Sequence, residues 1–146
     1  MCSSDLDLAI ASSTAQFAVS GVNLGLFCST PGVALSRNLS RKRAYEMLMT
    51  GEFIDAPTAL EYGLVNRVVA PEILDKTVIA LAQNIARKPA ETLRLGKSLF
   101  YRQLEHSLEQ AYRDAGEIMA CNMMFEDAGE GIDAFIEKRE PDWLNS

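Results

Sequence analysis

Gly21-Val-Asn-Leu-Gly-Leu-Phe-Cys-Ser-Thr-Pro-Gly-Val-Ala-Leu35 decides how the rest of the chain is read. Gly21, Gly25, Pro31 and Gly32 interrupt regular structure, so the stretch reads neither as a helix nor as a surface linker. Val22, Leu24, Leu26, Phe27 and Val33 are apolar and are expected to be buried. A buried irregular loop must find partners for all its backbone donors and acceptors. It is therefore expected to wrap a site or seat another element, or at the least to close a packed core.

Flanking segments add a pattern. DLAIASSTAQF runs from Asp7 to Phe17, MTGEFIDA from Met49 to Ala56, ALEYGLVNRVV from Ala59 to Val69 and EGIDAFIEKR from Glu130 to Arg139. With the central loop between them, these motifs resemble, in order, the second half of the enoyl-CoA hydratase/isomerase (crotonase) family. The version FCSTPG, Phe27 to Gly32, is similar to one branch of that family. The resemblance runs from about Asp7 to the end of the chain. It implies an α/β fold: the C-terminal portion of a crotonase spiral of ββα units over residues 1–70, followed by a helical trimerisation domain over 71–146.

At 146 residues the chain has the size of one domain, and 48% hydrophobic with 23% charged residues is the balance of a globular protein. A net charge of -6 excludes a nucleic-acid surface, which needs a concentrated basic face. Only Arg37 and Arg41-Lys42-Arg43 cluster. They read as a solvated first turn, or alternatively as a contact to the phosphates of coenzyme A. Cys2, Cys28 and Cys121 are odd in number and share no metal or redox spacing, which predicts reduced thiols, no metal site and an intracellular compartment. No apolar run reaches the length of a membrane span, and no Lys or Arg precedes Arg37, so no signal or membrane segment is expected.

Leu8 to Ala11 reads as a strand that needs a neighbour, and nothing upstream supplies one. MCSSDL does not match the family there. The sequence is therefore expected to be a fragment or to carry a misassigned start. A Ser-Ser-Thr turn and a second strand near Gln16 to Val19 follow. Ser40 is expected to cap a helix to about Met49 that buries Ala44, Met47 and Leu48 and ends at Gly51. Asp55 caps a short helix with Pro57 in its first turn and Gly63 at its close, before a strand over Leu64 to Val69.

Beyond Pro71 the pattern is helical. One stripe holds Ile73, Leu74, Val78, Leu81, Ala82 and Ile85; Pro89 starts the next helix; Ser107 and Gln110 form a capping box for a third. Asp127 and Glu130 are candidate caps of the last, expected to bury Ile132, Phe135 and Ile136. Met47, Met49, Met119, Met123 and Met124 read as core filler. His106, the single histidine, sits at a helix junction and reads as solvated or capping, because the segment shows no partner cluster for a base or ligand.

The resemblance implies an acyl-CoA thioester as substrate, with coenzyme A part of that substrate and no separate cofactor. It implies two backbone N–H groups that stabilise the enolate oxyanion, both in an upstream Gly-rich motif that this sequence does not contain. Family hydratases add two glutamates that hold a water and move its protons. Their positions fall at about Met1 and at Gly21, and an acid carried by some isomerases falls near Ser29. No Asp or Glu occurs from Leu8 to Asn38. Ser20, Asn23, Cys28, Ser29 and Thr30 remain as pocket-wall candidates able to donate or accept hydrogen bonds, none a general base alone. Cys28 reads as a structural cysteine.

By the same resemblance, Phe135 lines the acyl pocket and Lys138 approaches the coenzyme A phosphates, often in a neighbouring subunit. Each has a plain alternative, Phe135 as core and Lys138 as a solvated charge. A complete protein would be a homotrimer or hexamer of lipid metabolism, in a bacterial cytoplasm or a mitochondrial matrix. This chain alone is expected to be inactive toward enoyl-CoA. The other readings are a non-catalytic acyl-CoA-binding protein, favoured by Gly21, and a helical assembly module.

Overall fold

The computed structural model describes residues 6–143, so Met1 and Cys2 lie outside the described residues. Two compact units meet in sequence between Ala80 and Leu81.

In the first unit, β1 (Ile10–Ser12) pairs in parallel with β4 (Arg67–Val69), Ala11 opposite Val68. The neighbour that β1 needed thus comes from downstream, which corrects the expectation of a strand left without a partner. Parallel strands require a crossover, and here helices supply it. Asn66 fixes the register: its N–H donates to the Ala9 carbonyl and its Oδ1 accepts from the Ala9 N–H, both at 2.7 Å. Past β1 the Ser12 hydroxyl accepts from the Thr14 N–H and lies 2.9 Å from the Thr14 hydroxyl, forming the expected turn. β2 (Gln16–Phe17) then runs antiparallel to β3 (Ile54–Asp55).

Three helices complete this unit: α1 (Ser29–Asn38), α2 (Arg41–Thr50) and α3 (Ala56–Tyr62). The first corrects the reading of Gly21 to Leu35 as wholly irregular. Pro31 is the third residue of α1, within the first turn, where an N–H has no helical partner in any case. Gly32 is buried on the same helix, 3.4 Å by its Cβ position from the Leu48 methyls, so the glycine that looked like a breaker is a close-packing residue.

Ala44, Met47 and Leu48 form the buried face of α2 as expected, joined in the core by Ala11, Leu35, Leu39, Ala56, Ala59, Leu64 and Val65. Ser40 precedes α2 without a side-chain cap, whereas Asp55 caps α3 by accepting from the Thr58 N–H at 2.9 Å. Hydrogen bonding from the Thr58 side chain, and then from its backbone, holds the Asp55 carboxyl below the usual range. Gly51 and Gly63 close the two helices in the left-handed conformation, at φ 62° and 83°. Arg43 does not join an open basic patch. It donates to the Glu61 carbonyl and carboxylate, at 2.6 and 2.8 Å, and lies 4.4 Å from the Tyr62 ring centre.

α4 (Leu74–Ala86) carries the chain into the second unit, made of α5 (Ala90–Gln103), α6 (Leu108–Asn122) and α7 (Glu126–Glu137). The Ser107 hydroxyl accepts from the Gln110 N–H at 3.3 Å, but the Gln110 amide turns to Asp114 at 2.6 Å, so only half of the capping box forms. Phe125, not Asp127 or Glu130, occupies the N-cap of α7.

The helical stripes exist, but the burial expected of Ile132, Phe135 and Ile136 is corrected. Ile73, Val78, Ile85, Leu108, Tyr112, Ile132, Phe135 and Ile136 are all exposed, and of the methionines taken as core filler only Met47 is buried. An amphipathic helix is stabilised by whatever covers its apolar face, and a hairpin such as α5–α6 covers one side of each helix only.

Candidate functional site

The loop ahead of α1 is built from two short devices. Ser20–Leu24 forms a turn of 3-10 helix that ends at Gly25, left-handed at φ 75°. The Leu26 N–H then donates back to the Gly21 carbonyl at 3.0 Å, and the Ser29 N–H to Phe27 at 2.8 Å. The Gly32 N–H donates to the Cys28 carbonyl at 2.9 Å, which seats Cys28 at the start of α1.

The wall candidates take different places. Asn23 donates its amide to the Gly51 carbonyl at 3.2 Å and so ties the loop to the end of α2. Ser29 and Thr30 present exposed hydroxyl-bearing side chains on the first turn of α1, and Ser20 is exposed as well. Cys28 is a half-buried free thiol facing Gly21. A Cβ on Gly21 would lie 2.5 Å from the Cys28 sulfur and 2.8 Å from the Leu26 carbonyl oxygen. Position 21 has no room for a side chain.

The expected burial of the loop's apolar residues is overturned. Leu24 is 79% exposed, Leu26 67%, Phe27 54% and Val33 58%, and Val22 is exposed too. The loop bonds back on itself and onto the start of α1, and the Asn23 side chain ties it to Gly51, while its apolar side chains face outward. What it offers is a neutral surface: apolar side chains, two hydroxyls and a thiol, with no carboxylate from Leu8 to Asn38. Such a wall can hold an apolar or thioester group and donate hydrogen bonds. It cannot take up a proton through a carboxylate.

In the second unit the residues expected to meet a ligand lie at the end of α7. Phe135 is 85% exposed. Lys138 terminates the helix at φ 56°, the one non-glycine residue with positive φ among the described residues. The Arg139 N–H closes on the Ala134 carbonyl at 3.0 Å, reversing the chain. Beyond it Glu130 accepts from Arg139 and from the Asp142 N–H. Trp143 comes to rest over Gly131, where a Cβ would be 3.2 Å from the indole. Pro89, Leu93, Met123, Ile132, Phe135 and Trp143 border an open groove of about 750 Å³.

His106 has the partner that the sequence did not reveal. Its Nδ1 is 3.1 Å from the Asp114 carboxylate, which also accepts from Gln110 and lies 3.6 Å from Arg102. The group ties the end of α5 to α6: Gln110 lies one helical turn from Asp114, but His106 and Arg102 precede it by eight and twelve residues, beyond a local pattern. No group of three or more His, Cys, Asp or Glu that could hold a metal occurs among the described residues, and none of the described helices is long and apolar enough to cross a membrane.

Comparison with known proteins agrees with the motifs. Residues 3–146 match the family model for enoyl-CoA hydratase/isomerase. The mitochondrial enoyl-CoA hydratase domain-containing protein 3 of Xenopus laevis is 49% identical over 96% of this chain and 48% of its own length. The Homo sapiens protein of the same name is 47% identical over 94% of the chain and 45% of its own length. These are the branch that FCSTPG resembles. The chain thus spans about half the length of the curated relatives it matches.

Among solved structures, an enoyl-CoA hydratase of Mycobacterium smegmatis is 58% identical with a TM-score of 0.94, over 97% of this chain and 55% of that one. Human enoyl coenzyme A hydratase domain-containing protein 3 is 45% identical with a TM-score of 0.92, over 97% and 56%. The chain belongs to the enoyl-CoA hydratase/isomerase family and has the crotonase fold of its C-terminal portion.

Proposed function

We propose that this chain serves a protein that binds and acts on acyl-CoA thioesters in fatty-acid metabolism, as a hydratase/isomerase-like lyase or isomerase. Membership of the family over residues 3–146 carries the reading. The neutral wall of Ser29, Thr30 and the apolar loop residues is suited to a thioester. Phe135 is the acyl-pocket residue and Lys138 the phosphate contact, both accessible at the end of α7. The exposed faces of α6 and α7 are the surface through which a homotrimer or hexamer assembles. The bacterial cytoplasm or the mitochondrial matrix is the compartment, the latter matching the relatives described as mitochondrial.

A second reading is binding without hydration. It is favoured by one observation, the exclusion of any side chain at position 21. Calorimetric titration with crotonyl-CoA, coupled to a hydration assay, tests both in a protein of its relatives' full length that carries this chain as its C-terminal half. Binding with turnover supports the enzyme, binding without turnover supports the second reading, and no binding of any CoA thioester contradicts both.

A further inference from the structure

Two glycines of the same loop serve opposite purposes. Gly25 needs its positive φ and has nothing within 4 Å of a Cβ, so it is there for backbone conformation. Gly21 is not among the positive-φ glycines, and its backbone would accept any L residue. What keeps a side chain out is space alone, filled by the Cys28 sulfur at 2.5 Å and the Leu26 carbonyl oxygen at 2.8 Å.

We propose that Cys28 is a positioning residue: packed on the bare backbone of Gly21, it holds the Ser20–Cys28 loop closed in a form that admits no acid at position 21. The wall then meets its ligand with neutral groups, and it does so by construction. The Leu26 carbonyl oxygen, the backbone half of the obstacle, cannot simply move aside. The Cys28 carbonyl is held by the Gly32 N–H at the start of α1, Leu26 is bonded to Gly21 itself, and Asn23 fastens the far side of the loop to Gly51. A side chain at position 21 therefore displaces a segment tied at three points. Only the ligand class in this proposal rests on the acyl-thioester reading; the packing does not.

Thiol alkylation with iodoacetamide in the full 146-residue chain, read by peptide mass, tests it. In the wild type Cys28 is expected to react about ten-fold more slowly than exposed Cys121, because its reaction waits on loop opening. Gly21→Ala is expected to bring the Cys28 rate up to that of Cys121 and lower Tm by several degrees, roughly the shift for a buried clash. Gly21→Ala with Cys28→Gly recovers part of that Tm, since one of the two obstacles is gone.

Equal rates for the two thiols in the wild type, or a Gly21→Ala protein with unchanged Tm and unchanged Cys28 reactivity, would overturn the proposal. If Gly21→Ala fails to fold, the wild-type comparison and the double variant still decide it. No CoA ligand enters these measurements, so failure of the acyl-CoA reading would leave their outcome unchanged.

Discussion

Arg139 grips Glu130 with both ends of its guanidinium, Nη1 to Oε1 at 2.5 Å and Nη2 to Oε2 at 2.9 Å, across nine residues that include the end of α7. Glu130 also accepts from the Asp142 N–H at 2.7 Å, and Arg139 reaches Glu137 at 2.6 Å. One carboxylate thereby fastens the segment carrying Trp143 back onto the helix. Paired, bidentate geometry makes this stronger than a lone surface ion pair.

The hydrogen bonds from Arg139 and from the Asp142 backbone pull the Glu130 carboxyl down to about 2. Because the folded value lies below the unfolded value, stability rises with pH across this window. Glu130's contribution is complete above the ordinary carboxylate range and is lost as pH falls from there through about 2. Trp143, the single tryptophan, reads it directly. Its emission is expected to shift to the red over that acid window in the wild type, and at neutral pH in Glu130→Gln; a Glu130→Gln spectrum matching the wild type at pH 7 would count against the clasp.

Asp114 is the hub for His106, Gln110 and Arg102, and its side chain is only 14% exposed. Asp114→Ala takes the carboxylate from Gln110 and His106 and the opposite charge from Arg102, and is expected to cost about 1–2 kcal/mol, reduced from a fully buried network because His106 and Arg102 reach solvent. Chemical denaturation with an unchanged slope is the check. A midpoint equal to that of the wild type would mean that the hub does not hold α5 to α6.

Among the described residues Met47 is the one methionine that packs as core, 3% exposed in the cluster with Leu35 and Leu48. Met47→Ala is expected to destabilise by about 2–5 kcal/mol through lost burial and the cavity left behind. The same change at Met124, 84% exposed, is expected to stay within about 0.5 kcal/mol.

How far the sequence could be read followed from how local each cause is. Gly51, Gly63, Asp55 with Pro57, and the Ala44, Met47, Leu48 face all act within one or two turns, and each stands where expected. The start of α1 is not legible in the sequence, where Pro31 and Gly32 read as breakers, because their roles, an N-terminal proline and a small residue against Leu48, depend on position and on a partner distant in the sequence. The pairing of β1 with β4, the His106–Asp114 contact and the tie from Asn23 to Gly51 are likewise tertiary facts. The apolar stripes predicted the helices but not their burial, since a stripe shows that a face needs cover and not what provides it. At the loop, the sequence revealed that position 21 lacks an acid; only the fold reveals that none would fit.

Large apolar faces on α6 and α7, with Leu108, Tyr112, Met119, Phe135 and Ile136 exposed, are expected to drive self-association of the isolated chain. Sedimentation velocity should show mass rising with concentration, and Phe135→Asp should lower the associated fraction. A strictly monomeric chain with one cooperative unfolding transition would contradict this.

Hydration of crotonyl-CoA by the purified chain, followed against a protein-free control, is the most direct test of the claim that this chain, with no Gly-rich oxyanion motif and no acid in the wall, does not add water by itself. A rate equal to the control is expected. Turnover above it would contradict the claim, because water would then be added with neither the Gly-rich motif nor any carboxylate from Leu8 to Asn38.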